Sequence, residues 1–238
     1  EMIRRAPERF PHVDVFLLNE HDTPRRLFEH VAERVITDPD EAPRRHLPIG
    51  FEHVGTPSIL SKTVHALDVL ADRYDVFFRT NLSSVLLLGR LDRYVQEEAD
   101  LCYSGGLVWP DALRADLERH GRVGPGRSIE SMADLDGYPG NSFVSGSGFF
   151  LSATEARSLV AERDRLRYDL PDDVAIGLMM RRCRLLDGFS ERILATTPVA
   201  EVLDRIEFTS ATHIRLEHFP VERAMAVWRY LDTELLWR

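Results

Sequence analysis

YDVFFRTNLSS, residues 74–84, is a short apolar run that breaks off into polar side chains just before a new helical periodicity begins. Val76, Phe77 and Phe78 are β-branched or aromatic and too few for a helix of their own, so they read as a strand buried on both faces. Arg79, Thr80, Asn81 and Ser83 follow at its carboxyl end. Leu87, Leu88, Leu91 and Val95 then recur at helical spacing, with Ser84 placed to cap that helix. In an open α/β sheet such a junction is where a phosphorylated ligand binds, because free backbone N–H groups and the helix dipole both attract an anion. A polar connection with a cap and no ligand accounts for the same residues.

Upstream, Thr56 and Pro57 carry a helix start signal, and Leu60, Thr63, Val64, Leu67 and Leu70 mark one face of the helix that delivers the chain to Val76. Lys62, the only lysine in a chain whose other basic residues are arginines, lies one turn into it. Further back, VDVFLL (Val13 to Leu18) reads as a strand. Thr23 and Pro24 open a helix along Leu27, Val31 and Val35 that Asp38 and Pro39 stop. Residues 38–55, rich in proline and poor in apolar side chains, read as a surface loop.

Downstream, LCYS (Leu101 to Ser104) reads as a buried strand opening into Gly105 and Gly106, and residues 114–119 as a charged helical turn. Residues 121–141 are glycine-rich and aperiodic, a length that suits a lid. SFVSGSGFFLS (Ser142 to Ser152) is a strand whose Gly146 and Gly148 mark a bulge or a close approach. Ser152 and Glu155 form a capping box for a helix to about Tyr168. In LPDDVAIGLMM, Pro171 ends one segment, and Asp172 and Asp173 take the first turn of the next helix. Acids there are most simply dipole-compensating caps, worth ~0.3–1 kcal/mol each. Arg205 to Ser210 looks strand-like, Thr212 to His218 alternates polar and apolar, and Ala224, Val227, Trp228, Leu231 and Leu235 mark a last amphipathic helix.

At 238 residues with no Pro/Gly/Ser-rich linker, the chain reads as a single α/β domain over residues 1–238. A net charge of -9 and a pI near 5.5 argue against a partner bound by phosphate neutralisation, so no nucleic acid is expected. Cys102 and Cys183 are far apart and form no CxxC pair. They read as a strand and a helix cysteine of a reducing, cytoplasmic compartment, without disulfide or zinc. No apolar run approaches the ~20 residues of a membrane span.

FVSGSGFFLS followed about twenty residues later by LPDDVAIG resembles the S-G-x-G-aromatic strand and acidic-acidic-V-x-x-G helix start of the β-1,3-galactosyltransferase and Fringe group of glycosyltransferases. FFRTNLSS stands where that group has Lys-x-Asp-Asp-Asp, and SILSKTVHAL with Lys62 resembles its lysine-bearing helix. The likeness spans roughly residues 56 to 218. It implies a GT-A, Rossmann-like domain with a mostly parallel central sheet flanked by helices, a nucleotide-sugar donor (a UDP-sugar above all), a glycan or small hydroxyl acceptor, and inversion at the anomeric carbon. Asp173 would be the general base, or Asp172 with the helix rotated by one residue. Lys62, Arg79, Thr80, Asn81, Ser83, Gly146, Ser147 and Gly148 would face the donor.

The chain departs from the group at the metal, since Asn81-Leu82-Ser83 replaces Asp-x-Asp and two anionic ligands become neutral oxygens. Mg2+ and Mn2+ depend on carboxylates. Any such ion is therefore expected to be held mainly by the donor's own diphosphate, with His213 as the one protein ligand that survives, or else Arg79, Lys62 and Arg215 supply the charge and no metal is needed. The group's first nucleotide-contacting strand has no clear counterpart before Val13 and is expected to be missing or trimmed. Two functions stay open: an inverting sugar transferase, and a catalytically silent nucleotide- or glycan-binding module of the same fold.

Overall fold

The structure, a computed structural model, describes residues 10, 12–13, 17–20, 46–49, 56–81, 84–98, 101–108, 143–168, 172–180, 183–217 and 219–231. Ser83, the helix expected after Thr23, the turn at 114–119 and the loop at 121–141 lie outside them. β1 (Leu17–Glu20) pairs in parallel with β2 (His46–Ile49), which falls within the stretch expected to be a loop. Helix α1 (Thr56–Leu70) runs as its apolar spacing predicts.

The sheet that carries the site has four strands, β3 (Val76–Thr80), β5 (Ser104–Val108), β6 (Phe143–Ser152) and β7 (Arg184–Leu185), in the order β3-β6-β5-β7. β6 is antiparallel to both β3 and β5, and β7 is parallel to β5. Three strands thus share a direction, but two of the three pairings are antiparallel. The mostly parallel sheet expected from the sequence is corrected to a mixed α/β sheet. A second sheet, order β4-β9-β8, joins β4 (Ser84–Leu86), β8 (Ser190–Leu194) and β9 (His213–Glu217).

β6 obeys the two-residue period of a strand. Phe149 and Leu151 enter one core with Leu60, Val64, Leu67, Tyr103, Leu159 and Ile176, beneath α1, α3 (Ala153–Ala161) and α4 (Asp172–Met180). Phe150 enters the other core with Val85, Phe189, Ile193 and Ile214 of the smaller sheet, over α2 (Leu88–Glu97), α5 (Val199–Phe208) and α6 (Val221–Leu231). Phe78 lies 4.7 Å from Phe150 and 5.6 Å from Phe189, ring centre to ring centre, and so joins the two sheets.

Several local expectations are corrected. β3 is only partly buried along its length, because its described pairing is on one side, to β6. Ser84 does not cap a helix. It opens β4, its hydroxyl donates to Asn81 Oδ1 at 2.7 Å, and α2 begins only at Leu88 behind an uncapped Leu87. The strand expected at Leu101 begins instead at Ser104, so Ser104 marks an amino end and not a carboxyl end. Arg205 to Phe208 is helical, because Val202 and Ile206 are buried one turn apart. The capping box forms, Ser152 Oγ accepting from the Glu155 N–H at 3.3 Å, but α3 ends at Ala161 and a 3-10 turn (Arg163–Arg165) follows. Cys183 precedes β7 and is not in a helix; both cysteines are free thiols. No helix among the described residues is long and apolar enough to cross a membrane.

Gly105 is the tightest point of the sheet, where an added Cβ would stand 2.3 Å from Val144 Cγ1 and 2.9 Å from the Gly148 carbonyl oxygen. The neighbouring Gly106 has its nearest foreign atom, Ser190 Cβ, at 3.8 Å. Gly105→Ala should lower unfolding stability by about 1–3 kcal/mol, whereas Gly106→Ala should change it far less; chemical denaturation of the two variants measures both.

Candidate functional site

Strand β6 loses its ladder in the middle. Its pairing with β3 covers Gly148 to Ser152, and its pairing with β5 covers Phe143, Val144, Phe149 and Phe150, with a break in register opposite Gly106. Ser145, Gly146 and Ser147 therefore have no partner on either described strand, and their peptide groups are left for side chains. Those of Gly146 and Ser147 find different ones.

On one face the Gly146 N–H donates to Asp173 Oδ2 at 2.9 Å, and its carbonyl accepts from Arg79 Nη1. Arg79 Nη2 lies 2.6 Å from Asp172 Oδ2, a buried oxygen that accepts no directed hydrogen bond. Charge, rather than an aligned bond, holds that contact. The Arg79 guanidinium also sits 5.7 Å over the Phe149 ring, its cross-strand neighbour. Asp173 Oδ1 accepts from the Val174 N–H at 2.9 Å, one of the first-turn amides of α4 that have no partner within the helix. Just before β5, the buried Tyr103 hydroxyl donates to the Asp173 carbonyl at 3.4 Å and accepts from the Val144 N–H at 3.3 Å. Gly146 allows this close approach, since a Cβ there would come within 3.1–3.2 Å of the Asp173 side chain and would press on it.

On the opposite face Thr80 donates to the Ser147 carbonyl at 3.0 Å. Its hydroxyl oxygen lies 3.4 Å from Nε2 of His213, whose Nδ1 lies 3.0 Å from Ser190 Oγ. Thr80 has one proton and gives it to Ser147, so Nε2 carries the imidazole hydrogen and Ser190 donates to Nδ1. The ring is fully buried, stacked on Phe189 (6.3 Å, 7°) and edge-on to Phe78. Gly148 leaves no room beside it: a Cβ there would meet His213 Nε2 at 2.9 Å.

The residues singled out in the sequence thus fall into two half-sites, because Arg79 and Thr80 are adjacent on a strand and point to opposite faces. Arg79, Gly146, Asp172 and Asp173 make one; Thr80, Ser147, Gly148 and His213 make the other. Asn81 stands beyond the end of β3, bonded to Ser84, and Lys62 is partly buried in the second turn of α1. Tyr103 and Ser190 escaped sequence reasoning. Only the fold brings them in, Tyr103 from just before β5 and Ser190 from the start of β8.

No protein-family model matches the chain, and no curated protein matches it. The site is read from its own geometry.

That geometry separates the two titrating groups by sign. Burial, then the adjacent Asp172 carboxylate, push Asp173 from 3.8 up to about 6. Burial pushes His213 from 6.5 down to about 4, so the imidazole is neutral and its one lone pair faces Ser190. As a metal ligand His213 is poorly placed, and among the described residues no group of three His, Cys, Asp or Glu could hold an ion.

The raised Asp173 value means a stabilising contribution present below pH 3.8 and lost as pH rises through 6. The lowered His213 value means one present above pH 6.5 and lost as pH falls through 4. The half-sites pull against each other in that window. Relative to wild type, His213→Gln should gain stability and Asp173→Asn should lose it on going from pH 6.5 to pH 4, each by on the order of 2 kcal/mol. Denaturation midpoints across that range test both signs.

Proposed function

We propose that the chain is an inverting glycosyltransferase that moves a sugar from a nucleotide-diphosphate donor to an acceptor hydroxyl, with Asp173 as the general base. The observation that supports it best is the setting of that carboxyl: partly buried at a helix start, fixed by the Gly146 N–H, and pushed up to about 6. A base of that strength takes a hydroxyl proton near neutral pH and stays ionised enough to act. Asp172, tied to Arg79, is the poorer candidate. The likeness of the β6 and α4 sequences to the galactosyltransferase and Fringe group supplies the substrate class, and the UDP-sugar donor is proposed on that likeness.

One observation favours the silent binding module. Asn81 Oδ1 is occupied by Ser84, and Arg79 by Asp172, so two groups expected to face the diphosphate are engaged within the protein. The charge of a bound diphosphate then falls to a metal ion carried in with the donor, or to Lys62 and Arg215.

Donor hydrolysis separates the two functions. The transferase should release sugar slowly from some nucleotide sugar without acceptor, and Asp173→Asn should cut that rate by roughly 10²–10⁴-fold while nucleotide diphosphates still raise the melting temperature. Binding without release in the native chain would select the silent module. Turnover that vanishes in excess chelator and returns with manganese would place the metal on the donor; turnover that persists would assign the charge to the cationic side chains.

A further inference from the structure

The group that connects both acids to the sheet is Arg79. We infer that Arg79 is a positioning residue for Asp173 and not a ligand for the donor phosphates: it cancels the charge of Asp172 and fixes the Gly146 peptide on which the Asp173 carboxylate hangs. The inference deepens the transferase reading and rests on it only in calling Asp173 a base.

Three contacts carry it. Nη2 is 2.6 Å from Asp172 Oδ2, Nη1 donates to the Gly146 carbonyl, and the guanidinium plane lies over Phe149. The two ends of the planar fork are used on protein partners, and both side chains of the ion pair are largely buried, at 18% and 11% exposure. Drawing Arg79 toward a phosphate would strand the Asp172 carboxylate in that burial, which is costly. The Gly146 unit transmits the effect, since its C=O is held by Arg79 while its N–H is given to Asp173. A shift of this one peptide moves the carboxylate. A lysine, with one point charge, would hold either Asp172 or the carbonyl, but not both in this geometry.

The surroundings of Asp173 leave few other charges to act. On α4 it faces Asp172, on β3 Arg79, just before β5 the Tyr103 hydroxyl, and on β6 the uncharged Gly146. Helices α1 and α3, which also pack on α4, carry Lys62, His65 and Asp68, and Glu155 and Arg157. None of these is among the charges that move Asp173. Asp172 raises its proton affinity and Arg79 lowers it.

The experiment follows the Asp173 carboxyl carbon by NMR in ¹³C-aspartate-labelled protein, assigned by its loss in Asp173→Asn, with no donor present. Arg79→Gln should raise the titration midpoint by about one pH unit or more, Asp172→Asn should lower it by a similar amount, and the double variant should lie between them. Arg79→Lys should keep the midpoint near wild type yet slow donor hydrolysis, because it keeps the charge and loses the fork. Where Arg79→Gln alone does not fold, the double variant and Arg79→Lys still carry the test. A midpoint unmoved by loss of the Arg79 charge overturns the inference. So does a loss of nucleotide-diphosphate affinity in Arg79→Lys with Asp173 titrating as in wild type, which would make Arg79 a phosphate ligand. If the midpoints move as expected while no nucleotide sugar is ever hydrolysed, the inference stands and the transferase reading falls.

Discussion

The site depends on an interruption. Strand β6 goes without ladder partners on the described strands from Ser145 to Ser147, and a strand in the interior of a sheet can do so only if something else takes its peptide groups. Asp173 and Arg79 take those of Gly146, and Thr80 takes the carbonyl of Ser147. The same bonds that satisfy the backbone thereby fix the side chains a reaction would need. A regular β6 would be better paired and would have nothing to offer Asp173.

The interruption also explains why two unlike chemistries sit so close together without mixing. The pleat sends Arg79 toward the acids of α4 and Thr80 toward the imidazole of β9, with the Gly146-Ser147 backbone between them. One side is charged, with opposing carboxylate and guanidinium; the other is a neutral chain from Ser190 through His213 and Thr80 to a carbonyl. The aromatic contacts of Phe78, Phe150 and Phe189 hold the two sheets together, and His213 packs into that same cluster.

Much of this was legible in the sequence where the signal was local. The strand at Val76, the capping pair Ser152 and Glu155, the acids opening α4 and the close approach at the β6 glycines all rest on neighbours a few residues away. What failed was long-range. Ser84 has the chemistry of an N-cap, but pairing with β9 makes it a strand residue instead, and nothing near residue 84 announces residue 215. The mostly parallel sheet was implied by the resemblance to a GT-A domain, whereas β6 follows a long connection and returns antiparallel. Arg205 to Phe208 shows a wrong choice of period, since its aromatic and β-branched residues outvoted the one-turn spacing of Val202 and Ile206. Arg79 was identified by its charge, which points to a phosphate, and only the fold supplies its contact with Asp172.

The order of the smaller sheet has a consequence for how the protein is made. β9 lies between β4 and β8, so among the described strands Leu86 has no neighbour until His213 arrives. At roughly 5–20 residues per second of synthesis, β4 waits on the order of ten seconds as an unpaired apolar edge. The acid half-site is encoded entirely between Arg79 and Asp173 and can assemble while the ribosome is still at work, but the imidazole comes last. The two halves are thus built in sequence, and β9, the last of the described strands, closes a sheet that earlier residues have long exposed.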